Sequence, residues 1–447
     1  MRIPALLRHI FMLYRLCQYV IHSARKDLLS GDQIMAIVLP FKAVRPDKKF
    51  VAQVAALPYD VMTREEGKKA VSGNPLSFMH VEKSEIDVPD KTKSDDPLIY
   101  QTAKRNFTDM RVKGILIQDE SPHFYVYRQK MGTRAQTGIV GVMNASEYDA
   151  GKIKKHELTR QDKEEDRIRH VDTVNAQTGP VFISYRERPG INTIVDHATF
   201  GMPEYDFTSD DGVTHTVWII SDSRHIEEIK KEFLAVDALY IADGHHRAAA
   251  AAAIARTRRA KESARGFAGE YESVLAVFFP DTQLRVMDYN RAVKDLNGLT
   301  PDQFIDKIGS AFIVSKDFSD RSPNQLHDFG MYLGGQWHKL TVKEGVYDKN
   351  DPVASLDAAI LQEHLLYPVL GIKDPRVDDR IKFIGGIRGM DELEKLVNQD
   401  GFAVAFSLYP TTMEQIINVA DAGAIMPPKS TWFEPKLRSG LFTHRLD

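Results

Sequence analysis

Ala238-Leu-Tyr-Ile-Ala-Asp-Gly-His-His-Arg247 is the stretch around which the chain is organised. An almost pure alanine run, residues 248–253, comes next, then Ile254-Ala-Arg256. The apolar opening predicts a buried strand, Gly244 a turn, and the alanines a helix. Strand, glycine turn and helix start form an anion-binding arrangement, because the first N–H groups of a helix lack partners and its dipole favours negative charge. Four polar side chains crowd the bend: Asp243, His245, His246 and Arg247. A carboxylate, two imidazoles and a guanidinium on one turn point to phosphate chemistry. The spacing also allows a plainer reading, in which Asp243 caps the helix and the histidines are solvated.

The chain around this bend has 447 residues, enough for two or three domain-sized units or one large composite enzyme. A hydrophobic content of 43% with 27% charged residues is that of a globular protein with a real core. Basic residues number 59 and acidic ones 62, for a net charge of −3. That balance argues against a dedicated nucleic-acid binder, so no nucleic-acid partner is expected. A single cysteine, Cys17, excludes a disulfide framework and a thiolate zinc site within one chain, and the expected compartment is a reducing cytoplasm. Residues 10–21 are the most apolar segment near the N-terminus, but they are too short to span a membrane and carry Arg15. Tyr14-Arg15 also interrupts a signal-peptide core, so no membrane partner is expected. Residues 1–34 are basic and unlike the rest of the chain. They read as an extension that is either not native, with Met35 the true start, or loosely attached.

Outward from the bend, Thr63 caps a predicted helix over 64–71. Residues 78–82 are strand-like, and 97–113 form an amphipathic helix ended by Gly114. Strands over 123–129 and 136–145 flank a Gly132 turn. From Lys152 the chain is densely charged, and a helix begins near Asp162 with Ile168, Val171 and Val174 as its apolar stripe. Arg167 and His170 lie three apart and share a face of it. His156-Glu157 precedes that helix in an entry loop, where functional groups are often carried. Residues 179–185 read as a buried strand, 205–220 as a hairpin about Asp210-Asp211-Gly212, and 221–235 as a capped helix. Residues 256–265 read as a basic, loop-forming tail to the alanine helix. Strands are expected over 273–279 and 284–293. The C-terminal third reads as α/β, with helices over 301–309, 354–370, 391–398 and 412–422 and strands over 381–385 and 402–408. Paired prolines then hold Lys429, Ser430 and Thr431 on display, as a phosphate clamp or as a proline-rich surface turn. The fold class is α/β in the mixed sense, α+β rather than strictly βαβ.

No Walker-type loop and no Gly-x-Ser-x-Gly elbow is present, and Gly385-Gly-Ile-Arg-Gly389 matches a dinucleotide fingerprint only loosely. His156-Glu157-Leu-Thr-Arg160 lacks the second histidine of a zincin. The chemistry therefore falls to the charged bend and to whatever folds against it.

Asp243-Gly-His-His-Arg247 after a strand resembles the nucleotide-binding core of the ParB/sulfiredoxin-like superfamily and, more narrowly, the free L-serine kinases (SerK-like). His156-Glu157 is similar to that family's His-Glu pair, and Pro428-Lys-Ser-Thr431 to its Pro-Lys-Thr-Thr segment, in the same order. Nearly all of 35–447, with Pro58-Tyr-Asp-Val61, Asn74-Pro75 and Ser439-Gly-Leu441, resembles a long bacterial branch of the group known as a domain of unknown function. The chain is far longer than the compact kinases, and its motif spacing differs. The resemblance implies a ParB/sulfiredoxin-like core within 35–295, elaborated by further mixed sheet and helices, and a C-terminal part, 296–447, completing the same active site.

It further implies phosphoryl transfer to the hydroxyl of L-serine or a similar small molecule, giving O-phosphoserine. Glu157 is then the expected base, with Asp243 and His246 as catalytic partners and Asp243 as the Mg²⁺ ligand. Gly244, His245, Arg247, Lys429, Ser430 and Thr431 would bind phosphate, and His156, Arg167 and His170 the acceptor. ATP, ADP and pyrophosphate all remain open as donors, since no adenine pocket is legible. Two other classes stay open. A ParB-like nucleotide-gated regulator needs the phosphate turn without Glu157 and a basic helix-turn-helix, which is not found. A sensor would bind serine or nucleotide without turnover.

Overall fold

Leu239–Asp243 is a strand and His245–Glu262 a helix, and Gly244 joins them at φ 88°, a conformation that side chains with a Cβ rarely adopt. These come from a computed structural model, which describes residues 36–262 and 269–447. The extension at 1–34 and the start at Met35 lie outside the described residues.

Nine strands among the described residues form one mixed sheet. They are β1 (Val38–Leu39), β2 (Phe124–Met131), β3 (Arg134–Asn144), β4 (Ile153–Lys154), β5 (Val181–Tyr185), β6 (Tyr205–Thr208), β7 (Thr214–Ile220), β8 (Leu239–Asp243) and β9 (Ser273–Pro280). Their order is β4-β8-β5-β9-β3-β2-β7-β6, with β1 against β3. β8 runs parallel to β4 and antiparallel to β5. Alternation along β8 follows the pleat. Leu239 and Ile241 enter the core that also holds Ala248, Ala251, Ile254 and Ala255 of the following helix, while Ala242 enters the core on the other face. The alanines let that helix lie close to the helix Gln161–Val174, since its own side chains there end at Cβ.

A second, six-stranded sheet comprises β10 (Tyr289–Val293), β11 (Phe312–Lys316), β12 (Asp328–Leu333), β13 (Gln336–Val342), β14 (Ile381–Gly385) and β15 (Val404–Leu408), in the order β11-β13-β12-β15-β10-β14. All its pairings are antiparallel. The C-terminal third is therefore α+β, not α/β as expected, because β12 and β13 form an antiparallel hairpin and β11 adds antiparallel to β13, pairings that need no crossover helix. The whole is a mixed α+β fold.

Three further expectations are corrected. Residues 78–82 are helical over Met79–Glu82, because a short apolar run buried on several sides fits either element, and this one packs against the helix Pro97–Val112. The basic stretch after Arg256 continues the alanine helix to Glu262. The helix expected over 354–370 begins only at Asp357 and loosens into a π-type turn over Gln362–Leu366. Pro189–Thr199 forms a helix where the sequence pattern predicts none.

The last segment runs back across the molecule. Phe433 bridges to Val286, Ser439 to Ala56 and Thr443 to Val44, and His444–Arg445 pairs with Ala176–Gln177. Residues 426–446 are thus laced between the two sheets and the N-terminal elements.

Candidate active site

The bend opens on a cavity of about 400 Å³. The pairing of β4 with β8 explains what meets there. Both strands run the same way, with Ile153 opposite Leu239 and Lys154 opposite Tyr240. Continuing that register sets His156-Glu157 beside Ala242-Asp243 at the shared C-terminal ends. Met426 N–H donates to the His156 carbonyl at 2.9 Å, which draws the proline segment onto the same spot. His156, Glu157, Asp243, Gly244, His245, His246, Arg247, Lys429, Ser430 and Thr431 all line the one cavity.

Glu157 and Asp243 face it as carboxylates with different surroundings. The Glu157 side chain is 49% exposed, yet walled by protein on most sides. Burial, then the charges of Asp243 and, more weakly, Asp60, raise its pKa above the ordinary carboxylate value, against the pull of Lys429 and Lys436. Asp243 is 39% exposed to the cavity. One of its oxygens accepts the Gly244 N–H at 2.8 Å, and the other accepts the Lys436 ammonium at 2.8 Å. Burial opposes its charge, but Lys436, the Gly244 N–H and Arg247 outweigh burial and hold its pKa below the usual range. Asp243 is therefore tied to Lys436 and to its own turn, not to the helix N–H groups beyond it.

Burial disfavours the charged form of all three histidines. His156 is 2% exposed, and burial pulls its pKa down to about 4. His245, 5% exposed, is lowered further by burial and by His156, whose ring stands edge-on to it at 4.6 Å. His245 Nδ1 lies 3.8 Å from Glu157 Oε2. His156 Nε2 reaches the Thr431 hydroxyl at 3.4 Å. His246 Nε2 accepts the Arg160 N–H at 3.1 Å, which fixes the entry loop. His156, Glu157 and His245 each offer a ligand atom within 4.8 Å of the others, a set that suits a borderline ion such as Zn²⁺ better than Mg²⁺.

Two expected phosphate ligands spend their side chains on the protein. The Arg247 guanidinium bonds Glu82 at 2.9 Å and the Pro180 carbonyl at 3.1 Å, in a space that Gly179 keeps open, since a Cβ there would lie 2.9 Å from the guanidinium carbon. The Ser430 hydroxyl donates to the Pro427 carbonyl at 2.7 Å. Lys429 is exposed and sits at φ 59°. Arg291 holds its carbonyl at 3.1 Å, and Thr411 holds the next carbonyl at 2.8 Å.

Arg167 and His170 do not line this cavity. Arg167 pairs with Asp166 at 2.7 Å, and His170 Nε2 meets the Val81 carbonyl at 2.9 Å. Burial, then Arg167, lowers His170 to about 4. With Glu82 they form a polar layer behind the bend. They do share a helix face, but spacing along a helix does not say what that face meets.

Sequence reasoning missed Lys436, Glu82 and the aromatic wall. Tyr289 and Trp432 line the cavity edge-to-face at 5.1 Å, with Lys429 5.8 Å from the first ring and Lys436 4.9 Å from the second. Lys436 had one signal, its place seven residues beyond Lys429 in the same segment. Glu82 had none, being one polar residue in an apolar run.

A family model described as "Protein of unknown function (DUF1015)" matches residues 38–359. No curated protein sequence matches the chain. Among solved structures, a free serine kinase in complex with AMP is similar at a TM-score of 0.32 and 13% identity, over 66% of this chain and 86% of that one. A conserved hypothetical protein from Pyrococcus furiosus is similar at 0.32 and 14%, over 67% and 93%. C-terminally truncated SbnI from Staphylococcus aureus is similar at 0.31 and 10%, over 67% and 85%. Likeness of this order leaves the chemistry to the residues themselves. Among the described residues no helix is long and apolar enough to cross a membrane.

Proposed function

The chain belongs to the DUF1015 family, described as proteins of unknown function, and we propose from its cavity that it is a phosphotransferase acting on an alcohol, with free L-serine as acceptor and O-phosphoserine as product. One observation carries this reading. A carboxylate with a raised pKa, Glu157, faces the same cavity as a glycine turn at a helix start and an exposed lysine, Lys429.

The acceptor oxygen attacks the terminal phosphorus of the donor. The O–H proton passes to Glu157, the new P–O bond forms, and the bond to the leaving phosphate breaks with its electron pair going to that phosphate. Little covalent work falls to the protein, so position and charge dominate. The unpaired N–H groups of the helix start at His245 would meet phosphate oxygens. Neutral His156 and His245 keep positive charge away from the base and leave Glu157 free to take the proton. Lys429 and Lys436 would offset the growing negative charge. The aromatic wall of Tyr289 and Trp432 supports a nucleotide donor, ATP or ADP, over pyrophosphate, because a base has a face to lay against it. Mg²⁺ would be held chiefly by the donor phosphates. Asp243 already binds Lys436 and its own turn, so it fits as a partner through water better than as a direct ligand.

Incubation with Mg²⁺, L-serine and each donor in turn, followed by ³¹P NMR, should reveal O-phosphoserine. No product with any donor would overturn the reading. Glu157 acts only when deprotonated, so turnover should fall as pH drops through its raised pKa. The acid limb should sit above the ordinary glutamate value of 4.5 and vanish in the residual activity of Glu157→Gln. Lys436→Met removes the cation that holds Asp243, and kcat/KM for the donor should drop roughly ten- to a hundredfold, as for loss of a charge-assisted bond. A normal kcat/KM in that variant would remove Lys436 from the site.

A further inference from the structure

The cavity holds a third carboxylate, Asp60, in the turn Pro58-Tyr-Asp-Val61. Asp243 has Lys436, and Glu157 has the His245 ring within 3.8 Å. Asp60 makes no hydrogen bond and no ion pair among the described residues, although it faces a space walled by charged groups. Its turn is well held. The Tyr59 ring lies under two guanidinium groups, Arg167 at 3.9 Å and Arg247 at 5.7 Å. The Tyr59 carbonyl accepts Lys83 Nζ at 3.2 Å, and Val61 N–H donates to the Pro58 carbonyl at 3.4 Å. The turn thus presents to the cavity a carboxylate that is free to take a cation.

Resting on the phosphotransferase reading, we propose that Asp60 binds the ammonium group of an amino-acid acceptor, and that Tyr59, clamped by Arg167 and Arg247, positions it. The site is thereby selective for vicinal amino alcohols over hydroxy acids of the same length. A serine-sized acceptor carries its ammonium two bonds from the carbon that bears the hydroxyl, so one molecule can present O–H to Glu157 and N–H to a neighbouring carboxylate. Arg167, which does not reach the cavity, gains a role through Tyr59.

Asp60 shares the cavity with Glu157, Asp243, His156, His245, Lys429 and Lys436.

The test compares L-serine with 3-hydroxypropanoate, which keeps the hydroxyl and carboxylate and lacks the ammonium. Wild-type protein should prefer serine in kcat/KM. Asp60→Asn should cut that preference roughly ten- to a hundredfold, mainly through the KM for serine, and Asp60→Glu should restore part of it. Asp60 is solvent-facing and unbonded, so neither variant should harm folding. An unchanged preference in Asp60→Asn would overturn the proposal. So would an equal loss on both acceptors together with a higher Mg²⁺ requirement, the result expected if Asp60 held the metal. Calorimetric titration keeps the two readings apart. If no acceptor is phosphorylated, the phosphotransferase reading falls. Weaker L-serine binding by Asp60→Asn, with wild type favouring serine over 3-hydroxypropanoate, would still sustain the ammonium site, and absence of serine binding to wild type would overturn it.

Discussion

Glu157→Gln should lower kcat by roughly 10²–10⁴-fold, the usual contribution of a positioned general base. The substitution keeps the size of the side chain and removes its ability to take a proton. Its effect should therefore fall on turnover, with nucleotide affinity close to that of wild type. Structural damage is a small concern, because Glu157 is half exposed in a loop and its nearest charged-group contact is His245 at 3.8 Å. Stopped-flow or discontinuous assay of O-phosphoserine, beside calorimetric titration with nucleotide, separates the two quantities. A variant with wild-type turnover would exclude Glu157 as the base, and His156 could not replace it, being buried and aimed at Thr431.

Glu82→Ala should destabilise the fold by about 3–5 kcal/mol, the range for breaking a buried ion pair and stranding one charge. Glu82 is 1% exposed, bonds Arg247 at 2.9 Å and accepts the Thr178 hydroxyl. Burial opposes its charge, but Arg247, with His170, Arg167 and Thr178, overcomes burial and holds its pKa below the ordinary value. A depressed carboxylate stabilises the fold above its unfolded pKa, and the contribution is lost as pH falls through the folded value. The Glu82→Ala deficit should therefore be full at neutral pH and shrink in acid. Replacing both partners, Glu82→Met with Arg247→Met, should recover much of the loss, since no lone charge stays buried. Denaturant titration measures all three proteins. A single-variant loss below about 1 kcal/mol would show the pair to be dispensable.

The strand-turn-helix from residue 238 to the end of the alanines was legible because every local signal agreed: an apolar run of strand length, a glycine, then alanines. The hairpins around Gly132 and Asp211-Gly212 were legible for the same reason. What could not be read was set by tertiary contact. β4 is two residues long and has no periodicity, yet it brings Glu157 to the bend. Arg247 looked like a phosphate ligand because its partner, Glu82, lies 165 residues away in an apolar segment. Lys436 escaped because a lysine beyond a proline turn resembles any surface lysine until the chain folds back. The second sheet was misread because its central strands alternate poorly, and Phe312–Lys316 buries little beyond its first residue.

The lacing of residues 426–446 across both sheets has a consequence for how the protein is made. Synthesis is vectorial, and Asp243 and Glu157 leave the ribosome long before Lys429 and Lys436. A nascent chain halted ahead of residue 424 has both carboxylates but neither lysine, so Asp243 waits without its counter-charge. The cavity is thus completed only when residues 426–436 have been made. Any truncated product should be inert and exposed to quality control instead of partly active.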